Sequence, residues 1–141
     1  MAEFDYQILN QFSDTIRTIY PRMHLESTFE GSILQMGYLH FILDHNPCCQ
    51  QDLVNMRIGS KAAISEMLSG MEEQGWITRK RNKANHRKYD IHLTRAGMET
   101  AQIIKNEYIR FCEQCLNDFS AEEREQLQTL LRKFLAGRPE T

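Results

Sequence analysis

The hydrophobic period of this chain changes abruptly at Gly75, and that change limits which folds the chain can adopt. Before it, SKAAISEMLSGMEEQ sets Ile64, Met67, Leu68 and Met71 at i, i+3, i+4 and i+7, one apolar seam on a helix. After it, WITRKR and RKYDIHL alternate, with Tyr89, Ile91 and Leu93 at period two, so they are expected to form the strands of a hairpin. The intervening NKANH has Asn82 and Asn85 as turn formers and no glycine. Thr94 is expected to cap the next helix, with Leu93 and Met98 as a hydrophobic staple.

The remaining segments are helical. Phe4, Ile8, Phe12, Ile16 and Ile19 form one stripe, and Pro21 is expected to stop that helix. A second helix is expected over Ser32 to His45, apolar all round and so buried, ending at Asn46-Pro47. A short helix, QQDLVNMR, starts near Gln50, and Gly59 separates it from the Ser60 helix. The helix after Thr94 runs to about Asn117, with Ile104, Tyr108, Phe111, Cys112, Cys115 and Leu116 along one side. Ser120-Ala-Glu-Glu is a capping box for a last helix carrying Leu127, Leu130, Leu131, Phe134 and Leu135. The expected fold is mainly α with a small β-hairpin. A short helix, a turn, a second helix and a hairpin is the plan of a winged helix-turn-helix, whose second helix enters the DNA major groove.

Charge supports that plan. Residues 76–90 hold six of the 17 basic side chains and one of the 19 acidic ones, leaving 11 basic and 18 acidic elsewhere. A basic island on an acidic body is a footprint for a polyanion, although a charge run by itself is most often a solvated loop. The neighbouring helix decides between them. Opposite its seam lie Ala62, Ser65, Glu66, Ser69 and Glu73, and its first turn, Ser60-Lys61-Ala62-Ala63, offers backbone N–H groups to a phosphate. Small residues there admit base edges, and Ser65 can donate or accept.

At 141 residues one domain is expected. The start MAEFDYQ is acidic and lacks an apolar run, so no secretory signal is expected, and YLHFIL is far too short to cross a bilayer. A cytoplasmic location and no membrane partner follow, and a reducing compartment argues against a disulfide framework for the four cysteines.

The run from Gln50 to Gly97 resembles the MarR family of dimeric winged-helix repressors, and the resemblance extends over nearly the whole chain. QQDLV is similar to the family's Q-x-E-L-A, ISEMLSGMEEQGWITR to V-S-R-x-x-x-x-L-E-x-x-G-x-I-x-R, and HRKYDIHLTRAG to R-x-x-x-V-x-L-T-x-x-G. The resemblance implies a single MarR-like domain over 1–141. Residues of about 32–93 would be the DNA-binding lobe, and about 1–20 and 100–141 the N- and C-terminal dimerisation helices. The implied partners are double-stranded DNA bearing a pseudo-palindromic operator and a second copy of the chain.

The resemblance also implies roles. Arg87 matches the wing-tip arginine that enters the minor groove, and Arg79, Lys80, Arg81, Lys83 and Lys88 would position the wing on phosphates, with His86 also in the wing. Two positions depart from the family pattern. Asn85 stands where aspartate is usual before Arg87, and Glu66 stands where a basic residue is frequent. Glu66 would repel phosphate but can accept from a cytosine amine.

A repressor released by a small lipophilic or aromatic effector is the implied function, with Met23, Met36 and Tyr38 as lining residues by analogy only. Two alternatives stand beside it. One is a redox-sensing regulator of the same fold, since Cys48 and Cys49 precede a helix N-terminus where a thiol pKa can fall; the plainer reading is a small apolar filler and a weak cap. The other is a winged-helix module for protein or RNA contacts. Cys112 and Cys115 lack further ligands, and His24, His40, His45 and His92 form no ligand-spaced cluster, so no metal site is expected. No cofactor is implied, and no nucleophile–base pair, phosphate loop or carboxylate dyad appears. Catalysis is not expected.

Overall fold

The computed structural model describes residues 2–23, 29–56 and 60–140, so His24 and the expected break at Gly59 lie outside the described residues. In chain order the elements are α1 (Tyr6–Arg17), a 3-10 turn (Tyr20–Arg22), α2 (Ile33–Asp44), β1 (Cys48–Cys49), α3 (Gln50–Asn55) and α4 (Lys61–Glu73). They continue with β2 (Ile77–Arg81), β3 (Tyr89–Leu93), α5 (Arg95–Cys115) and α6 (Ala121–Ala136). The chain divides into two compact units, Met1–Tyr108 and Ile109–Thr141, with the division inside α5.

Local chemistry sets the helix ends. Ser32 caps α2 reciprocally with Gln35, Ser60 accepts from the Ala63 N–H, and Ser120 and Glu123 form the expected capping box. α4 ends at the Gln74 cap, followed by Gly75 at φ +77, a left-handed conformation that glycine adopts without steric cost. The start of the chain departs from expectation. Phe4 precedes α1, which stops at Arg17 rather than at Pro21, and Pro21 sits inside the 3-10 turn, where its missing N–H costs nothing.

The sheet has three antiparallel strands in the order β1-β3-β2, not two. Cys48 pairs with Ile91 and Cys49 with Asp90, while β2 and β3 run in register from Ile77↔Leu93 to Arg81↔Tyr89. The sequence reading missed β1 because two residues cannot display a period.

The core of the first unit lies beneath this sheet. Met36, Tyr38, Leu39 and Ile42 from α2, Leu53 from α3, and Ile64, Leu68 and Met71 from α4 pack with Trp76, Ile77, Ile91, Ala101 and Ile104. Three of the four seam residues of α4 are buried and Met67 packs at the edge. α2 is less enclosed than expected, because Ile33 and Leu34 in its first turn are exposed. Each fully buried aliphatic side chain contributes roughly 1.5–3 kcal/mol of transfer free energy. The Tyr38 hydroxyl has no hydrogen-bond partner among the described residues, and burial pushes its pKa up.

Where β3 enters α5, the backbone is tied to the end of α4. The Thr94 N–H donates to the Trp76 carbonyl, and the Thr94 hydroxyl donates to the Gly75 carbonyl while its oxygen accepts from the Gly97 N–H. Gly97 is buried, and a Cβ there would run into the Trp76 carbonyl. Gly97→Ala should therefore destabilise the fold by about 3 kcal/mol, the upper part of the usual overpacking range. Chemical denaturation would measure it, and a loss within 0.5 kcal/mol (about the effect of an ordinary surface change) would refute the close approach.

A polar cluster joins the 3-10 turn, α2 and α5. His40 Nδ1 and the Tyr20 hydroxyl share a hydrogen bond (2.8 Å), His40 Nε2 faces Asp44 (3.2 Å), and Lys105 pairs with Asp44. The Tyr108 ring packs edge-on to His40, with centroids 5.0 Å apart. Burial holds the His40 pKa below its ordinary 6.5, against the opposing pull of Asp44. The Lys105 ammonium holds the Asp44 carboxyl below its ordinary value. The unfolded His40 ring binds a proton more readily than the folded one, so its contribution is complete above pH 6.5 and declines as pH falls below it. The Asp44 contribution persists to lower pH, until the depressed carboxyl protonates. Thermal melts just below pH 6.5 should show wild type losing more stability than His40→Gln; equal losses would remove His40 from the acid response.

Candidate nucleic-acid interface

The first turn of α4 is open to solvent. Ser60, Lys61, Ala62 and Ala63 are all exposed, and so is Glu66, while Ser65 is half-buried. The opening N–H groups of a helix have no partner within it, and the Ser60 hydroxyl occupies only that of Ala63. What remains is a narrow, uncrowded helix end with a net attraction for anions.

Ser69 does not match its expected role. Its hydroxyl donates to the Ser65 carbonyl at 3.0 Å and accepts from Arg79 at 2.8 Å, so it is committed within the protein. Arg79 is likewise turned inward. Alternation along β2 directs it at α4, where it pairs with Glu72 and reaches Gln50 of α3 at 3.4 Å. Its side chain is only 18% exposed. Of the six basic residues in the island, Arg79 is therefore the one not presented for phosphate contact.

The other five are exposed, as is His86. Lys80 and Arg81 lie at the end of β2, and Lys83, Arg87 and Lys88 lie around the turn. Arg81 donates to the hydroxyl of its cross-strand partner Tyr89 at 3.1 Å, with its charge 5.6 Å from the ring centroid. That hydrogen bond holds the Tyr89 phenol below its ordinary pKa and Arg81 above its own.

The loop is built by asparagines. Asn82 Oδ1 accepts from the N–H groups of Ala84 and Asn85, both at 2.9 Å, and its amide donates to both carboxylate oxygens of Asp90. Asn85 Oδ1 accepts from the Arg87 backbone N–H at 3.1 Å. Asn85 therefore shapes the chain that carries Arg87 and does not hold its guanidinium, which forms no hydrogen bond or ion pair with any described residue. Sequence reasoning named Asn82 and Asn85 as turn formers but missed the Asp90 anchor and the Glu72 and Gln50 partners of Arg79. The first could have been found from the cross-strand register; the others needed the packing of α3 and α4.

Cys48 is buried in the core, and its thiol pKa is pushed up to about 12, chiefly by burial. This is the plainer of the two readings of Cys48, a small apolar filler, and the apolar surroundings oppose the lowered thiol pKa that the redox alternative needs there. Cys49 is half-buried and caps α3, with its N–H donating to Asp52 at 2.9 Å. Iodoacetamide at mildly alkaline pH should label Cys115 and Cys49 well before Cys48; mass spectrometry showing Cys48 alkylated first would contradict its enclosure.

Met36 and Tyr38 belong to the packed core, and Met23 packs against it. Among the described residues no group of three His, Cys, Asp or Glu side chains is placed to hold a metal ion, and no helix is long and apolar enough to cross a membrane.

Fold and site together define a winged helix-turn-helix with an exposed basic wing. Residues 32–89 match the MarR family. The chain is 30% identical over 103 residues to the transcriptional regulator HosA of Escherichia coli O157:H7, covering 72% of this chain and 75% of that protein. It is similar in fold to Staphylococcus aureus MepR in its DNA-binding conformation (TM-score 0.77, 21% identity, 94% and 98% of the two chains). It is similar also to a MarR family regulator from Listeria monocytogenes complexed with 26mer DNA (0.73, 18%, 100% and 99%). A fourth similarity is to the PcaV regulator of Streptomyces coelicolor in complex with its natural ligand (0.67, 17%, 97% and 99%). The chain belongs to the MarR family.

Proposed function

We propose that this protein is a homodimeric repressor that binds a pseudo-palindromic duplex operator and is released by a small lipophilic or aromatic effector. As a MarR family member it is a DNA-binding transcriptional regulator and not an enzyme. The observation that carries the finer reading is the pairing of two exposed features: the small-residue first turn of α4 and the basic wing beyond it. In the reading, Ser60, Lys61, Ala62 and Ala63 approach phosphate and base edges, with Ser65 and Glu66 beside them. Lys80, Arg81, Lys83 and Lys88 hold the wing on phosphates, and Arg87, with His86 beside it, enters the minor groove. An arginine there is favoured where A·T-rich sequence narrows the groove.

The dimer is supported by apolar surface that the single chain leaves in water. Ile8 and Phe12 of α1, with Phe4 before it, and Leu130, Leu131, Phe134 and Leu135 of α6 are all exposed. In this proposal residues of about 1–20 and 100–141 pair with a second copy, and about 32–93 form the lobe that meets DNA. Two lobes related by a two-fold axis would read half-sites roughly 10 bp apart. Effector release is supported by the PcaV complex, and a chromosomal operator implies a cytoplasmic location.

Footprinting on the DNA upstream of the protein's own gene tests target, symmetry and spacing at once. Within the protected duplex, Arg87→Ala should cost about 1–3 kcal/mol, the range for one good base-edge contact. Lys83→Ala should lower the slope of log affinity against log salt by about 0.9, one phosphate contact. Unaltered affinity in Arg87→Ala would remove the wing tip from recognition, and a salt-insensitive complex would favour a protein partner instead.

A further inference from the structure

Arg79 reaches across three elements. From β2, its Nε donates to Glu72 in the last turn of α4, and one terminal nitrogen donates to Ser69 Oγ a turn earlier. The other terminal nitrogen faces Gln50 Oε1 at the start of α3. Ser69 in turn donates to the Ser65 carbonyl, so the outward edge of α4 is tied to the same fork. Flanking Thr78 and Lys80 are exposed, whereas Arg79 lies against the helices.

We propose that Arg79 is a positioning residue that fixes α4 relative to the wing and so governs discrimination between DNA sequences, without contacting phosphate. This rests on the DNA-binding reading above. A planar guanidinium offers donors at fixed angles and can satisfy a carboxylate, a hydroxyl and an amide at once; a lysine ammonium is a point charge on a flexible stem. Base-edge recognition needs its side chains held to within about 0.5 Å. Attraction to the phosphate backbone acts over a Debye length of roughly 8–10 Å and tolerates looser placement. Loosening the fork therefore weakens specific binding and leaves non-specific binding almost unchanged.

The test uses full-length Arg79→Lys, Arg79→Met, Glu72→Met and the double variant Arg79→Met/Glu72→Met. Affinity is measured across a salt series for a duplex selected by wild type from random-sequence DNA and for a mixed-sequence duplex. Arg79→Lys should bind the selected duplex about tenfold more weakly, the scale of one charge-assisted hydrogen bond, with unchanged affinity for mixed sequence and an unchanged salt slope. Glu72→Met should behave alike, and the double variant should be no worse than either single, because the two residues act as a unit. A slope lowered by about 0.9 in Arg79→Met would make Arg79 a phosphate contact and overturn the proposal. So would equal losses on both duplexes, the mark of a smaller folded fraction. Failure of wild type to bind any duplex would sink the DNA-binding reading, and with it the claim on discrimination. The brace itself is read without DNA, since Arg79→Lys and Glu72→Met should both speed amide exchange in α4, and unchanged protection would refute it.

Discussion

The join between the end of α4 and the start of α5 is the constraint on which the site depends. Gly75, Trp76, Thr94 and Gly97 form it through three hydrogen bonds and one close approach. It sets where β2 begins and where β3 ends, and so fixes the register of the wing. Trp76 adds a stacked contact with Phe29, the ring planes only 7° apart, so the same residue that closes the wing also packs into the core. A wing whose root moved would carry its charges to no defined place.

Charge in the basic island is divided by the pleat of the strand. Lys80, Arg81, Lys83, Arg87 and Lys88 are presented outward, while Arg79 is folded back onto Glu72, Ser69 and Gln50. Outward charges exert a long-range, salt-sensitive pull on a polyanion. The inward arginine is short-range and directional. One cluster in the sequence thus supplies two physical effects, and the difference between them is the direction of a side chain.

Much of the architecture was legible because its signals are local. Ser32, Ser60 and Ser120 cap the helices that follow them, as a short hydroxyl does before an unpaired N–H. The seam Ile64, Leu68 and Met71 names its buried face by period alone, whereas of the alternating Tyr89, Ile91 and Leu93 only Ile91 is buried, Leu93 packing at the edge and Tyr89 lying exposed. Other features were not legible. β1 is too short to show a pattern, and its pairing depends on β3, some 40 residues later. α1 stops short of Pro21, and Phe4 falls outside it, because an exposed helix end is set by small differences that periodicity does not register. By contrast, Cys48 fills a small apolar site, the plainer of its two readings, and burial governs its thiol.

Signals along the chain were enough to give the order of the α-helices and of the two hairpin strands, the basic wing after a small-residue helix, and the resemblance to the family. These follow from periods, caps and charge, which act between neighbours along the chain. It took the folded chain to show that Arg79 and Ser69 are occupied within the protein and that Asn85 shapes the Arg87 backbone. Each depends on groups brought together from distant positions, where burial and hydrogen-bond geometry outweigh the preferences of the isolated segment.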